Sequence, residues 1–276
     1  MKFKRIYIEI TNKCNLNCSF CPELKRAPRD MSTEEFYRAA SQARLFCDYI
    51  YLHLKGEPLS HSQIDKILTI CDEMNFKVNI TTNGTLLGKN AEMLKMHKSV
   101  RQINVSLHSM ENIYAAEKYV KKIVDCARFL APEKMISLRI WTYDNDASEI
   151  NRKMLDVLEQ EFCTKPVLSE TRSTLSENIF FNLGDTFQWP SPLSHDIGVT
   201  GFCLGTRSHI AVLSDGTVVP CCLDSEGYIP LGNIFETDLE NIINSQRFID
   251  MYEGFSGRKI KESLCRKCSF RLRFDD

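Results

Sequence analysis

The feature that most constrains the fold is an alternation of short β-branched segments with amphipathic helical segments between residues 4 and 161. Such alternation is typical of repeated βα units around a parallel sheet. Five units are visible, and a sixth strand is predicted near Asn178–Asn182. The five predicted strands are Arg5–Ile10, Tyr49–Leu54, Phe76–Ile80, Arg101–Leu107 and Ile136–Thr142.

Within each predicted strand, polar and apolar residues alternate. In the first strand Ile6 and Ile8 share one face, while Tyr7 and Glu9 share the other. A parallel sheet covered by helices on both faces would be apolar on both, and the helices between the strands disfavour an antiparallel sheet wetted on one side. The sequence therefore predicts an α/β fold, a partial (β/α)6 TIM-type barrel with a polar interior that binds a ligand. The inward residues expected to contact a substrate are Tyr7, Glu9, His53, Asn79, Trp141 and Tyr143.

The pattern changes after residue 198. Two short apolar segments, His209–Leu213 and Thr217–Pro220, flank an Asp-Gly pair that suits the tight turn of a β-hairpin, and short helical segments follow. A stretch rich in proline and serine at 189–194 predicts a linker between the two regions. These observations predict a barrel domain over residues 1–190 and a small hairpin-plus-helix domain over residues 191–276.

Composition limits the possible partners and compartments. The net charge of −1 provides no basic field for nucleic acid, and no run of 18 apolar residues is present to span a membrane. The N-terminus shows no signal-peptide pattern, so we expect a cytoplasmic protein. Because thiols stay reduced in that compartment, the 12 cysteines point to metal binding or chemistry.

Three cysteines, Cys14, Cys18 and Cys21, follow the first predicted strand, on the end of a barrel where such folds place their chemistry. Three thiolates can bind three irons of a four-iron, four-sulfur cluster and leave the fourth iron open to another ligand. A structural zinc site would need a fourth Cys or His nearby, and this loop has none.

This Cys-x-x-x-Cys-x-x-Cys segment, with Phe20 before the third cysteine, resembles the signature of the radical S-adenosylmethionine (radical SAM) family. Lys55-Gly56-Glu57-Pro58 resembles the family's Gly-Gly-Glu-Pro loop, whose backbone receives the methionine amino group, although Lys55 replaces the first glycine. A guanidinium such as that of Arg139 can bind the methionine carboxylate bidentately. By resemblance, the residues expected to hold S-adenosylmethionine are Phe20, Gly56, Glu57, Pro58, Thr81, Asn83, Ser106, His108 and Arg139.

The C-terminal cysteines resemble the Twitch extension, a short form of the SPASM domain that follows many radical SAM barrels. The resemblance implies one auxiliary [4Fe-4S] cluster, held by Cys203, Cys221, Cys265 and Cys268. A structural zinc site with four cysteines is equally allowed by the donor set, and Cys222 is left as a spare thiol.

The resemblance implies a reaction type. The first cluster receives an electron from a partner such as flavodoxin or ferredoxin and passes it to S-adenosylmethionine. The resulting 5′-deoxyadenosyl radical then abstracts a substrate hydrogen.

The resemblance names no substrate. Because the first strand starts near Lys4, without the leader-binding domain of peptide-modifying relatives, we expect a small molecule. Our specific hypothesis is queuine lyase, with Glu9 on the aminopyrimidinone edge and Trp141 or Tyr143 stacked on the ring. The alternatives are a radical dehydrogenase of a sugar or cyclitol alcohol, a peptide-modifying radical SAM enzyme, and a non-catalytic zinc or iron–sulfur binding protein.

Overall fold

A computed structural model describes residues 1–143, 148–167, 171–184 and 186–274. Within these ranges ten strands form one sheet in the order β10-β9-β8-β1-β2-β3-β4-β5-β7-β6. The strands are β1 (Arg5–Ile8), β2 (Tyr49–Tyr51), β3 (Lys77–Thr82), β4 (Val100–Ser106), β5 (Met135–Ile140), β6 (Arg172–Ser176), β7 (Ile179–Leu183), β8 (His209–Val212), β9 (Thr217–Val219) and β10 (Gly232–Asn233). The helices are α1 (Thr33–Arg44), α2 (Ile64–Glu73), α3 (Leu87–Met96), α4 (Ile113–Leu130), α5 (Glu149–Phe162), α6 (Leu239–Ile243), α7 (Gln246–Ser256) and α8 (Ser263–Arg266).

The barrel half follows the predicted βα order. Strands β1 to β5 pair in parallel with their neighbours, and β7 pairs in parallel with β5. The sixth strand predicted near Asn178–Asn182 is therefore β7. The predicted α/β fold with a partial (β/α)6 barrel is confirmed, with one addition, because β6 precedes β7 and pairs with it as an antiparallel hairpin.

Helices cover the apolar face of the sheet. Helix α1 begins at a capping box in which the Ser32 hydroxyl accepts from the Glu35 amide and the Glu35 carboxylate accepts from the Ser32 amide. Its buried residues are Phe36, Ala39, Ala40 and Ala43, the stripe that the sequence periodicity indicates. In the described part of the chain, no helix is long and apolar enough to cross a membrane.

The C-terminal hairpin extends the same sheet. Strand β8 pairs in parallel with β1, with Arg5 opposite His209 and Ile8 opposite Val212, and β9 returns antiparallel to β8. Gly216 in the connecting turn has a φ of 86°, which the predicted Asp-Gly turn requires. The cysteine-rich segment is thereby attached to the open edge of the barrel. The domain boundary between residues 190 and 191 stays a prediction.

The other face of the sheet is polar, as the strand alternation predicts. Arg139 on β5 donates to Asn104 on β4 and, at 3.1 Å, to Ser137 on its own strand. Ser137 donates to Asn182 on β7 at 2.6 Å, and Asn104 donates to Thr81 on β3 at 3.2 Å. A hydrogen-bonded network therefore joins four adjacent strands across the barrel interior.

Candidate functional site

The first cysteine loop is tied to the carboxyl ends of two neighbouring strands. Asn83, just after β3, donates to Asn15 at 2.9 Å, and its amide nitrogen lies 3.8 Å from the Cys14 sulfur. The amide and hydroxyl of Ser19 both donate to Glu111, which follows β4, at 2.8 and 2.6 Å. These contacts hold the loop over the barrel interior.

The loop after β2 supports the cysteine loop from beneath. Gly56 has a φ of 77°, and a Cβ at this position would lie 2.4 Å from the Thr11 carbonyl oxygen, so only glycine fits. The buried Glu57 carboxylate accepts from the Thr82 hydroxyl at 2.8 Å and the Asn83 amide at 2.7 Å. Burial raises the pKa of this carboxyl, and the hydrogen bonds oppose the rise. The Glu57 side chain therefore joins the loop after β2 to the end of β3 and the loop that follows it.

The second cysteine set consists of the C-terminal cysteines Cys203, Cys221, Cys265 and Cys268, and one buried arginine holds its Cys-x-x-Cys pair, Cys265 and Cys268. The Arg271 guanidinium donates to the backbone carbonyls of Cys265, Thr200 and Gly198 at 3.1, 3.0 and 2.9 Å. Its charge also opposes the rise in the pKa of Cys268 that burial causes. Arg271 therefore both orients this pair and favours the thiolate form that binds metal.

The thiols of each set lie within electrostatic reach of one another. Burial, then negative charge at Cys21, Glu111 and Cys14, raises the pKa of Cys18 to about 11. Burial and charge at Cys222, Cys203 and Cys265 likewise raise the pKa of Cys221. A metal centre among these sulfurs would remove the repulsion and stabilise the thiolates.

The donor chemistry of the two cysteine sets fits iron–sulfur clusters. Among the described residues, no group of three or more His, Cys, Asp or Glu side chains is arranged to hold a metal ion as it stands. A zinc ion needs four ligands converging at about 2.0–2.3 Å, whereas each iron of a four-iron cluster takes its own thiolate, so the cluster's ligands lie farther apart. The three-cysteine and four-cysteine sets thus suit clusters in ligand number and donor chemistry.

A cavity of about 580 Å³ extends from Phe20 of the first cysteine loop to the cysteines of the C-terminal set. Phe20, Ser106 and His108 line it near the first cysteine loop, and the Phe20 and His108 rings lie 4.8 Å apart. All four cysteines of the second set, Cys203, Cys221, Cys265 and Cys268, also line it. A ligand in this cavity is therefore within reach of both metal-binding regions.

Only some of the six residues that were predicted to contact a substrate line the cavity. Tyr7, His53 and Trp141 line it. Asn79 is buried outside the lining, and Tyr143 packs against the apolar core. The alternation along the strands predicts that Asn79 lies on the polar face of the sheet. Its side chain is nevertheless buried, so it is not accessible to a ligand in the cavity.

Glu9 is placed differently from our expectation that it contacts a substrate. It is fully buried, and both carboxylate oxygens accept from Arg26, at 2.7 and 2.8 Å. The backbone amides of Lys55 and Ser214 donate to it at 3.2 Å each. The carboxylate therefore joins the cysteine loop, the loop after β2 and the C-terminal hairpin, and has no free edge for a ligand.

The predicted cofactor residues divide into two groups. Five of them line the cavity, namely Phe20, Thr81, Ser106, His108 and Arg139. The other four, Gly56, Glu57, Pro58 and Asn83, lie in the supporting loops outside the lining. Their cofactor roles stay predictions, and a role of the Gly56 to Pro58 backbone is compatible with this placement.

The cavity lining also includes Arg5, Tyr51, His209 and Cys222, which the sequence did not single out as cofactor, substrate or metal residues. Arg5 and Tyr51 share the strand parity of Tyr7 and His53, so extending that pattern by one step would have found them. His209 lines the cavity only because β8 pairs with β1, a contact across about 200 residues that no local pattern indicates.

Positive charge dominates the electrostatics of the cavity. Burial, then the charges of Arg139 and Arg5, lowers the pKa of His53 to about 3, and burial with Arg5 lowers that of His209 to about 4. Both imidazoles are therefore neutral at pH 7. Burial also lowers the pKa of Arg139 to about 10, because no negative side chain pairs with it among the residues described.

Comparisons with known proteins agree with this geometry. The sequence model of the radical SAM superfamily matches residues 8–132, and that of the SPASM iron-sulfur cluster-binding domain matches residues 203–269. A probable GTP 3′,8-cyclase of Aeropyrum pernix is 34% identical over 267 residues, which cover 79% of this chain and 73% of that protein.

Solved structures show the same fold. BtrN in complex with AdoMet and 2-DOIA has a TM-score of 0.58 at 18% identity, covering 98% of this chain and 94% of that one. The protein anSMEcpe, with bound AdoMet and the Cp18Cys peptide, has a TM-score of 0.60 at 15% identity, covering 97% and 87%.

Proposed function

This chain belongs to the radical SAM superfamily, and from that premise we propose that it abstracts a hydrogen atom from a small, polar, anionic molecule held between its two [4Fe-4S] clusters. The observation that carries the proposal is the cavity of about 580 Å³ lined by Phe20 of the first cysteine loop and by the four C-terminal cysteines. A volume of 300–1,000 Å³ is typical of small-molecule sites.

When bound, the first cluster with S-adenosylmethionine supplies a hydrogen-abstracting 5′-deoxyadenosyl radical, and the auxiliary cluster supplies an electron acceptor. The chain's own residues bind and orient. Thr81, Ser106 and Arg139 present polar groups to the cavity on the side of the first cysteine loop. Asn104 and Ser137 fix the Arg139 guanidinium, which lies 4.9 Å from the Trp141 ring centre. A preorganised cation there suits the methionine carboxylate.

Arg5 indicates the charge of the substrate. Among the described residues, its side chain donates a hydrogen bond to the Tyr51 hydroxyl at 3.4 Å, and its buried Nε atom has no partner there. In the part of the chain that is described, Arg5 has no ion pair with a carboxylate. A cation in a cavity is stabilised by a paired anion, so we propose a carboxylate or phosphate group on the substrate.

An aromatic wall surrounds Arg5. It consists of Tyr7, Tyr51, His53 and His209, with ring centres 4.9 to 5.8 Å from that of Tyr7. His53 is neutral, and its buried Nδ1 has no hydrogen-bond partner among the described groups. This nitrogen is available to accept a hydrogen bond from a substrate hydroxyl. This arrangement favours oxidation of an alcohol carbon of the substrate over cleavage of a substrate bond. We therefore propose a dehydrogenase in preference to a lyase.

The structure does not favour the queuine hypothesis, because its main predicted contact, between Glu9 and the aminopyrimidinone edge, is not available. The carboxylate chosen for the aminopyrimidinone edge, Glu9, is already held by Arg26 and two amides. Trp141 remains available for stacking, whereas Tyr143 does not line the cavity. Queuine therefore belongs in a substrate screen as one candidate, beside hydroxylated acids, sugar phosphates and peptides.

The test is substrate-dependent production of 5′-deoxyadenosine. Anaerobic, reconstituted enzyme with S-adenosylmethionine and either dithionite or flavodoxin is screened against those compounds, and the product is identified by mass. We expect stimulation by a hydroxylated anion and a product two hydrogens lighter. Stimulation only by neutral compounds, by queuine or by peptides would contradict the proposal.

The Arg5→Met variant provides a sharper prediction. Loss of the cation weakens anion binding by about 2 kcal/mol or more, so kcat/KM for the stimulating compound falls at least about thirtyfold. Slow S-adenosylmethionine cleavage without substrate is expected to persist. Arg101→Met is the matched control, because Arg101 stacks on Tyr49 and does not line the cavity. Equal kcat/KM values in wild type and Arg5→Met would remove Arg5 from the substrate site.

A further inference from the structure

Lys55 occupies an unusual position beside the first cysteine loop. It replaces the first glycine of the Gly-Gly-Glu-Pro-like loop, so the chain carries a cation where the family pattern has no side chain. The residue is only 7% exposed, and its ammonium group donates to the carbonyl of Pro22, the residue directly after Cys21.

The backbone around Lys55 is fixed from two sides. Its amide donates to the buried Glu9 carboxylate at 3.2 Å. The next residue, Gly56, packs against the backbone of Thr11 and Lys13 so closely that a Cβ would overlap it. The lysine side chain therefore extends from a rigid point towards the cysteine loop, and its direction does not depend on a mobile segment.

The Lys55 charge has no counter-charge in the described residues. None of the ion pairs found there includes it, and its ammonium bonds to a neutral carbonyl. A buried ammonium without a negative partner is costly, which is why such groups are paired in proteins. The Lys55 charge lies beside the Cys21 sulfur, because the carbonyl that its ammonium contacts belongs to the next residue, Pro22.

Cluster binding supplies the missing negative charge. Three thiolates replace three neutral thiols when Cys14, Cys18 and Cys21 bind iron. One-electron reduction adds one more negative charge to that centre and transfers no proton. A fixed cation close by stabilises the more negative state, and the charge near a cluster is one of the determinants of its potential.

We propose that Lys55 raises the reduction potential of the first cluster, so that this chain is reduced by a weaker donor than one with glycine at the same position. The proposal rests on cluster binding at Cys14, Cys18 and Cys21. It assigns Lys55 a positioning and electrostatic role, and the lysine does not contact the substrate.

The experiment is a redox titration of the reconstituted holoenzyme followed by EPR. Two clusters contribute signals, and the first is identified as the one that changes on addition of S-adenosylmethionine. We expect Lys55→Met to lower the equilibrium constant for its reduction at least about tenfold, which corresponds to about 59 mV for one electron. Lys55→Arg keeps the charge and is expected to stay within about threefold of wild type, which is about half of that shift on the same scale.

Three controls separate this role from a structural one. The auxiliary signal is expected to keep its potential in every variant. Lys13→Met removes a cation from the same region, but Lys13 is half-exposed and paired with Asp30 at 2.8 Å, so it is expected to leave the potential unchanged. The effect of Lys55→Met should also persist in 0.5 M salt, because buried charges are screened little.

Lys55→Gly guards against a folding defect, since it restores the residue of the family pattern. Both Lys55→Met and Lys55→Gly are expected to lower the potential with about eight irons retained. A potential equal to that of wild type in these two variants would overturn the role of Lys55. The absence of any signal responsive to S-adenosylmethionine in the wild type would instead overturn the cluster assignment itself.

Discussion

Replacing Cys14, Cys18 and Cys21 together by alanine is expected to lower the iron content from about eight to about four per chain and to abolish 5′-deoxyadenosine production. The three cysteines lie on one loop, which contacts predicted S-adenosylmethionine residues: Asn83 lies 3.8 Å from the Cys14 sulfur, and the Phe20 ring lies 4.8 Å from that of His108. The second set closes separately around Arg271 and keeps its own ligands. The measurement is iron, sulfide and zinc analysis of anaerobically reconstituted protein, with the nucleoside quantified by chromatography.

Cys163→Ala is the matched control for this variant. Cys163 is exposed and lies at the end of α5, outside both sets, so iron content and nucleoside production should be unchanged. A zinc site at the C-terminal cysteines would give about four irons and one zinc in the wild type, falling to zinc alone in the triple variant. Full iron content in the triple variant would exclude these cysteines as ligands.

Glu9→Ala is expected to lower the free energy of unfolding by about 3–5 kcal/mol. The substitution leaves the Arg26 guanidinium, whose side chain is 13% exposed, without its anion, and removing one partner of a buried ion pair typically costs this much. It also leaves the amides of Lys55 and Ser214 without their acceptor. Burial raises the pKa of the Glu9 carboxyl, and the Arg26 charge opposes the rise, so the pair is mutually dependent.

The Glu9→Ala substitution should also destabilise both cysteine regions. Arg26 also donates to the carbonyl of Ser225, and the amides of Lys25 and Arg26 donate to Glu226 at 3.0 and 3.1 Å, so the segment after the first cysteine loop is bound to the segment after Cys221. We therefore expect faster iron loss from both clusters, measured as bleaching of visible absorbance during anaerobic urea unfolding.

A double-mutant cycle tests the Glu9–Arg26 pairing directly. Glu9→Ala combined with Arg26→Met should cost clearly less than the sum of the single variants, because the second change removes the unpaired charge. Glu23→Ala, which removes an exposed carboxylate from the same loop, is expected to shift stability by less than about 0.5 kcal/mol. Additive costs in the cycle would show that the two side chains do not stabilise each other.

The barrel and its polar interior were largely predictable, because they depend on local pattern. Alternation along the strands sets which face each side chain takes, so Tyr7 and His53 were correctly expected to face inward. Helical periodicity likewise predicted which residues of α1 are buried against the sheet. The spacing of Cys14, Cys18 and Cys21 carried the resemblance to the radical SAM family, because spacing on one loop is a local property of the sequence.

Only the tertiary structure decided how Glu9 and Lys55 are used. Glu9 has the strand parity of a substrate residue, yet Arg26, 17 residues later in an irregular loop, occupies its carboxylate. The pairing of β8 with β1 likewise places His209 against the cavity across about 200 residues, and five C-terminal cysteines line the same cavity. Periodicity encodes the direction of a side chain from its own backbone. The partner it meets depends on contacts between distant segments, and these form only when the chain is folded.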